Sequence, residues 1–346
     1  MDSSIASILL LDGATNGAIY ALMGLALVLV FAVTRIIFIP QGEFVAFGAL
    51  TLAMFQLGRL PGTVWLLLAM ALFAALLDLA EGVRARHGAA ALARSAARTL
   101  ALPLIVAALA WWAAPRQLNL VLQSALTLAI VTPMGPLLYR LAFRSLADAT
   151  VLVLLIVAVG VHFALTGLGL VMFGAEGFAI PSFWDARFQA GALSLSGQAI
   201  IIFLVSIVLI LGLKVFFDHT LRGKALRATA VNRLGARLMG ISSASAGTQS
   251  FALAAFIGAL SGLLIGPTTT LGYDSGFLIG LKGFVAAIFG GLASYPATAL
   301  GALFVGLIES FSSFWASAFK EVIVFTLILP VLLWRSFQHV HDDEEE

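Results

Sequence analysis

The feature that most constrains this chain is a succession of apolar runs, many of them as long as a membrane is thick. Residues 150–173, for example, form an apolar run in which His162 is the only ionisable residue. A helix needs about 20 apolar residues to cross the hydrocarbon core of a bilayer. Only 10% of the chain is charged and 61% is hydrophobic, whereas soluble domains carry about 25% charged residues. The sequence therefore predicts an all-α polytopic membrane protein.

The runs predict about 10–11 transmembrane helices, of which two, 42–57 and 277–292, are short or broken. Both short runs follow a break rich in Pro or Gly, and both contain a Phe-Val-Ala sequence (Phe44 and Phe284 begin it). Paired short segments in two halves of a chain are typical of a transport path, although chance likeness is the alternative in so apolar a composition. The other runs are 5–33, 63–79, 100–114, 118–138, 150–173, 198–217, 247–266, 296–311 and 319–334.

Basic residues gather in alternate connections, above all in a predicted basic loop at 81–98 and in 222–241. Because basic loops stay in the cytoplasm, we expect a periplasmic N-terminus and a cytoplasmic C-terminus. The N-terminus lacks the basic region of a signal peptide, so the first run is expected to remain as a membrane span. Residues 337–346 are expected to form a solvated acidic tail.

The segment 222–241 carries five basic residues and no acid. Its apolar residues fall at helical spacing and predict one short amphipathic helix with a single apolar stripe: Val231, Leu234, Leu238 and Ile241. A stripe on a cytoplasmic helix needs a partner. The lipid headgroup region and a groove in another protein remain equal alternatives on this pattern alone.

The motifs of several function classes are absent. The sequence has no G-x-x-x-x-G-K-[ST] nucleotide-binding loop, no H-E-x-x-H and no cysteine, and its five histidines are scattered. No single apolar run holds the two or three ionisable groups that a catalytic site requires. We therefore expect neither an enzyme nor a metal site, and no nucleic-acid partner.

A few polar residues interrupt the apolar runs. Asp12, Glu43, Lys282 and Glu309 are predicted to lie near run ends, where long side chains reach water cheaply. A structural or interfacial role is favoured for them over ion coupling, which is the alternative. In the first run, Gly13 and Gly17 favour close helix packing.

Asn16 and Tyr20 lie four residues apart in the first run and so share one helix face. Helix packing is the favoured interpretation of this face as well. The alternative is that the two side chains line a pathway.

Several segments together carry a resemblance to a known protein family. They are residues 16–49, the element YRLAFR at 139–144, residues 228–241 ending in LMGI, LKGFVAA at 281–287 with Gly290 and Gly291, and GLIE at 306–309. With these segments, the chain resembles the permease subunits of bacterial ABC importers for branched-chain amino acids. The turn that usually carries His in that family has Gln41 here.

The resemblance implies a single permease domain over 1–336 in the bacterial inner membrane, with a coupling loop at 218–245. Residues 63–117 resemble an inserted helical pair. The implied partners are two ABC ATPases, a second and different permease, and a periplasmic substrate-binding protein. This chain would bind no cofactor, since ATP and Mg would be used by the ATPases.

Two sets of site residues follow. The resemblance implies an ATPase-coupling set of Arg227, Val231, Asn232, Leu234, Leu238, Gly240 and Ile241. The translocation-path candidates are Asn16, Tyr20, Gln41, Glu43, Thr268, Thr269 and Lys282. Two alternatives stay open: a self-contained channel or ion-coupled carrier for a small polar solute, and an ABC permease for urea, a sugar or a nucleoside.

Overall fold

A computed structural model describes residues 3–86, 88–116, 118–190 and 193–333 of the chain. His87 of the predicted basic loop and the predicted acidic tail at 337–346 lie outside these residues. The helices are α1 (Ser3–Thr34), α2 (Gln41–Gln56), α3 (Gly62–Arg84), α4 (Ala89–Ala113), α5 (Leu120–Val131), α6 (Met134–Leu138), α7 (Val151–Phe173), α8 (Gly197–His219), α9 (Leu221–Val231), α10 (Arg233–Leu238), α11 (Ser243–Ile265), α12 (Ser275–Phe289), α13 (Tyr295–Trp315) and α14 (Lys320–Thr326).

Eight helical segments in the described part of the chain are long and apolar enough to cross a membrane: α1, α3, α4, Leu120–Leu146, α7, α8, α11 and α13. The segment Leu120–Leu146 joins α5 and α6 to a π-helical turn, Tyr139–Phe143, and a 3-10 turn, Arg144–Leu146. Another 3-10 turn, Ser317–Phe319, precedes α14, and residues 328–333 are helical again. These segments support an all-α polytopic membrane protein, while 10–11 crossings and the orientation of the termini stay predictions.

The structure corrects the sequence analysis at one connection and shows a small hairpin at another. The predicted basic loop at 81–98 is wrong, because α3 continues to Arg84 and α4 begins at Ala89, which places Arg94 and Arg98 on α4. The alanines of 89–97 have the highest helix propensity, and they outweigh the polar signal of the arginines. The segment 174–197 contains a small hairpin, in which β1 (Arg187–Ala190) pairs antiparallel with β2 (Leu193–Ser196).

The centre of the bundle is formed by α1 and α11. In α1, 89% of the most apolar stretch is buried by the rest of the protein, against 17% for α8. Helix α1 is apolar on all sides, as a helix at the centre of a bundle must be. It crosses α13 closely, since a Cβ atom on Gly13 or Gly17 would lie 2.7 Å or 2.8 Å from a Cα atom of α13. The predicted close packing at these glycines is therefore present.

The two short helices α2 and α12 meet at their first residues, inside the bundle. A Cβ atom on Gly42 would lie 2.5 Å from the carbonyl carbon of Gly276 and closer still to its oxygen, and one on Gly280 would lie 3.0 Å from the Gly42 Cα. Gly276 and Gly280 are four residues apart, the spacing at which small residues let two helix backbones touch. Gln41 Nε2 donates to the carbonyl of Ala254, halfway along α11. Helix α2 therefore starts at the middle of α11.

From this meeting point, α2 and α12 run to opposite ends of the bundle. Along α2, Gly48 packs on Ala259, further toward the C-terminal end of α11. Along α12, Gly283 packs on Met23 of α1, and Gly290 reaches Thr298 at the start of α13. At 1.5 Å per residue these helices are about 24 and 22 Å long, less than the roughly 30 Å of a hydrocarbon core. Both are shorter than a full membrane span, as their short apolar runs predict, and we call them half-helices.

Candidate functional site

A cavity of about 590 Å³ lies between α1, α12 and α13, beneath the segment that follows α11. Five of the seven translocation-path candidates line it: Asn16, Tyr20, Thr268, Thr269 and Lys282. They come from three separate parts of the chain, and only the packing of α12 against α1 and α13 brings them together. Asn16 and Tyr20 lie on the face of α1 that lines the cavity. This position is consistent with the alternative in which the two side chains line a pathway.

An ionic network closes the inner end of this cavity. Lys282 Nζ donates to Glu309 Oε1 at 2.6 Å and to Glu321 Oε1 at 3.1 Å. The Tyr20 hydroxyl donates to Glu309 Oε2 at 2.5 Å. Lys282 is only 5% exposed and Glu309 8%, so their expected position near run ends, within reach of water, is wrong. Charges buried among apolar helices are costly unless paired, and Lys282 pairs here with both glutamates.

The cavity combines charged and apolar walls. Its charged lining residues are two acids and two cations: Asp12, Glu309, Lys282 and Lys320. Aliphatic side chains, among them Leu9 and Ile279, form other parts of the wall. This lining can bind a small solute that carries both charges together with an apolar group.

The cavity ends near the middle of the bundle. Beyond Lys282, a Cβ atom on Gly24 would lie 2.6 Å from Thr298 Cγ2, and one on Gly283 would lie 2.5 Å from Met23 Cβ. At these two points α1 therefore packs tightly against α12 and α13. The other lining residues come from the N-terminal half of α1, the end of α11 and the segment after it, the first half of α12, and the α13–α14 region. The cavity therefore extends from the N-terminal end of α1 to the ionic network.

The other two path candidates, Gln41 and Glu43, do not line the cavity. Both are fully buried at the start of α2. Glu43 Oε1 lies 2.7 Å from His162 Nδ1 of α7, and Thr166 Oγ1 donates to the same oxygen at 3.4 Å. The His162 ring stacks on Phe277 of α12 at 4.5 Å. These contacts join α2, α7 and α12 at the point where the two half-helices begin.

Sequence analysis missed the partners in both clusters. His162 stood out as the only ionisable residue of its run, but nothing in the pattern paired it with Glu43. Glu321 gave no signal, because it lies at the start of the last run, beside Lys320. Positions 119 and 39 residues apart in the chain meet here through tertiary packing alone.

A second candidate surface is formed by α9 and α10. The prediction of one continuous amphipathic helix is wrong, because the backbone leaves helical geometry at Asn232. Asn232 Oδ1 accepts from the Gly235 N–H at 2.8 Å and caps α10. Gly240 has a φ of +82°, and Ile241 N–H donates to the Ala236 carbonyl at 3.0 Å. This is a Schellman ending, which favours glycine.

Three apolar residues of the predicted stripe are exposed, while Ile241 is half-buried. Val231 is 82% exposed, Leu234 69% and Leu238 79%. Four of the predicted coupling residues line one groove of about 490 Å³ between α9 and α10, namely Arg227, Val231, Asn232 and Ile241. The surface therefore offers a groove flanked by the exposed leucines of α10.

Arginine side chains fix α10 to the membrane-spanning part. Arg233 donates to the Ala147 carbonyl at 3.1 Å, and Arg237 donates to Asp148 Oδ1 at 3.0 Å and to Ser243 Oγ at 2.8 Å. Arg233 and Arg237 are four residues apart and share one face of α10. Leu234 and Leu238 share the next face, which stays exposed.

Comparisons with known proteins identify the family of the chain. The model of the family described as "Branched-chain amino acid transport system / permease component" matches residues 88–332, which include α9, α10 and α12. The chain is 30% identical over 218 residues to the high-affinity branched-chain amino acid transport system permease protein BraD of Pseudomonas aeruginosa, over 61% of this chain and 71% of that protein. It is 29% identical over 213 residues to the corresponding permease protein LivH of Escherichia coli, over 60% of this chain and 69% of that protein.

LivH of Salmonella typhimurium is 29% identical over 211 residues, which cover 59% of this chain and 68% of that protein. No solved structure matches the chain. The family model covers more than half of the chain, and BraD matches over more than two thirds of its own length. The chain therefore belongs to the family of permease components of branched-chain amino acid transport systems.

Proposed function

We propose that this chain is the transmembrane permease subunit of an ABC importer in the bacterial inner membrane. It forms part of the translocation path for branched-chain or related amino acids and couples to a separate ATPase through α9 and α10. A second permease, two ATPases and a periplasmic binding protein complete the importer. The observation that carries the proposal is the cavity lined by Asn16, Tyr20, Thr268, Thr269 and Lys282.

The lining of the cavity supports an amino acid as the solute. Two acids and two cations among the lining residues offer partners for both charges of a zwitterion. Leu278 and Ile279 offer apolar contact for an aliphatic side chain. Ser310 lines the cavity too, and its Oγ has no hydrogen-bond partner in the described part of the chain.

The α9–α10 surface supports the coupling role. A helix that binds in the groove of a partner protein uses apolar anchors at helical spacing. Leu234 and Leu238 are exposed and four residues apart, so they can serve as such anchors. Hydrogen bonds from Arg233 and Arg237 to residues 147 and 148 join α10 to the connection that precedes α7. A displacement of α10 by a bound ATPase would therefore be transmitted to the membrane-spanning helices.

Uptake in proteoliposomes tests the path. The chain is reconstituted with its partner permease, the ATPase and the cognate binding protein, and leucine uptake is measured with and without ATP. We expect Lys282→Met to abolish uptake and Arg59→Gln, an exposed change at the α2–α3 connection, to leave it unchanged. Undiminished uptake by the Lys282→Met protein would show that the cavity is not part of the translocation path.

ATPase activity tests the coupling. A double variant, Leu234→Asp with Leu238→Asp, should lose substrate-stimulated ATPase activity while the protein still inserts into the membrane. Leu221→Asp is the matched control, because Leu221 is 86% exposed at the first residue of α9. Normal stimulation in the Leu234→Asp, Leu238→Asp protein contradicts the coupling role. Uptake that needs no ATPase would instead identify an ion-coupled carrier or a channel.

A further inference from the structure

A second large cavity, of about 690 Å³, lies at the opposite end of the bundle from the translocation cavity. Its walls come from the last turns of α1 and α8, from α9 and from the start of α13. Most of the wall is apolar, with Leu25, Leu29, Leu213 and Phe217 among the lining residues. None of the translocation-path residues contributes to it.

The charged residues that line this cavity are all cations: Arg35, Lys214 and Arg227. Arg227 is paired with Asp218 at 2.5 Å. Arg35 and Lys214 form no ion pair within the described residues, and Arg35 lies 5.8 Å from the Phe31 ring. Arg35 directly follows α1, Lys214 lies in the last turns of α8, and Arg227 lies within α9. The cavity thus has an apolar interior and a positively charged rim on the α9 side.

The position of α8 connects this cavity with the lipid. Helix α8 forms one wall, and only 17% of its most apolar stretch is buried. Its other side carries exposed aliphatic residues, including Leu204, Ile207 and Leu211. The cavity is therefore one helix away from the surrounding acyl chains.

We propose that this cavity binds one anionic phospholipid, with an acyl chain between α1 and α8 and the phosphate at Arg35 and Lys214. An apolar interior beneath two unpaired cations is complementary to such an amphiphile, and basic pockets between membrane helices bind anionic headgroups. An amino-acid substrate fits poorly, because none of the lining residues is an acid that could receive its ammonium group. The bound lipid would lie against Leu226 and Ala230 of α9, so it would also support the helix that leads to α10.

Native mass spectrometry of the full-length chain tests this site. The protein is exchanged into mixed micelles that contain phosphatidylglycerol and phosphatidylcholine with identical acyl chains. We expect one phosphatidylglycerol to be retained in preference to phosphatidylcholine. Lys214→Gln and Arg35→Gln should each lower this preference about fivefold, while Arg59→Gln at the other end of the bundle should not change it.

A cavity-filling variant separates an internal site from headgroup binding at the surface. Ala32→Phe on α1 keeps the charges but occupies the cavity, and it should abolish retention of the single lipid. Retention that survives Ala32→Phe, or that is equal for the two lipids, overturns the proposal, as does displacement of the lipid by leucine. Thermal unfolding of each variant checks its fold, and Ala293→Phe, at an exposed position that also lines the cavity, takes the place of Ala32→Phe if that variant does not fold.

Discussion

The start-to-start contact of α2 and α12 predicts a large effect of adding one methyl group at Gly42. In Gly42→Ala the new Cβ would lie 2.5 Å from the Gly276 carbonyl carbon, where ordinary contacts begin at 3.4 Å. The two backbones must separate by at least about 0.9 Å, the difference between these distances, because the Gly276 oxygen lies closer still. No flexible side chain can yield instead, because the opposing atoms belong to the backbone. Overpacking of this kind costs about 1–3 kcal/mol, more than the helix propensity of about 1 kcal/mol that Ala gains over Gly.

The assay is unfolding of the purified protein in detergent, with Gly160→Ala as the matched control. Gly160 lies within α7, and a Cβ atom there would meet no atom within 4 Å, so the control should be neutral or stabilised. Gly42→Ala should be destabilised and should also lose leucine uptake, because the displaced α12 carries Lys282. Equal stability of Gly42→Ala and Gly160→Ala would refute the backbone contact on which this reasoning depends.

Three further predictions concern the ionic contacts. Lys282→Met should lower the free energy of unfolding by about 3–5 kcal/mol, because it leaves two carboxylates together without their cation, and adding Glu309→Gln should recover part of this loss in a double-mutant cycle. His162→Leu should lower the thermal unfolding temperature more than Glu43→Gln does. His162→Leu leaves the buried Glu43 carboxylate without its histidine partner, whereas Glu43→Gln replaces that carboxylate by a neutral amide. Arg237→Ala should change global stability by less than about 1 kcal/mol, as exposed ion pairs do, yet it should speed amide hydrogen exchange in α10.

The membrane class and the half-helices could be predicted because they depend on local pattern. Run length alone indicates which helices can cross a bilayer, and the short runs at 42–57 and 277–292 became α2 and α12. The interruption between α9 and α10 at Asn232 could also have been predicted, since Asn is a preferred helix cap. It was missed because the apolar stripe from Val231 to Ile241 fits a continuous helix equally well.

The ionic clusters could not be predicted because each depends on helices that are distant in the chain. Tyr20 and Glu309 are 289 residues apart, and their contact requires that α1 pack against α13. From the sequence, Lys282 and Glu309 could as well have turned toward water at run ends. Their burial follows from the glycines that draw α1, α12 and α13 close together, and a spacing pattern cannot say which helices those glycines touch.

The meeting of two helix starts also gives a physical reason for the carboxylate of Glu43 at this depth. Each helix N-terminus carries a partial positive charge of about half a unit, from N–H groups without helical partners. Gly42 and Gly276 bring two such ends together, and the first turn of α2 is fully buried, which is unfavourable unless an anion compensates. Glu43 lies in the first turn of α2, and His162 and Thr166 hold its Oε1 from α7. The carboxylate therefore stabilises the junction of the half-helices, and that junction in turn fixes where α12 presents Lys282 to the cavity.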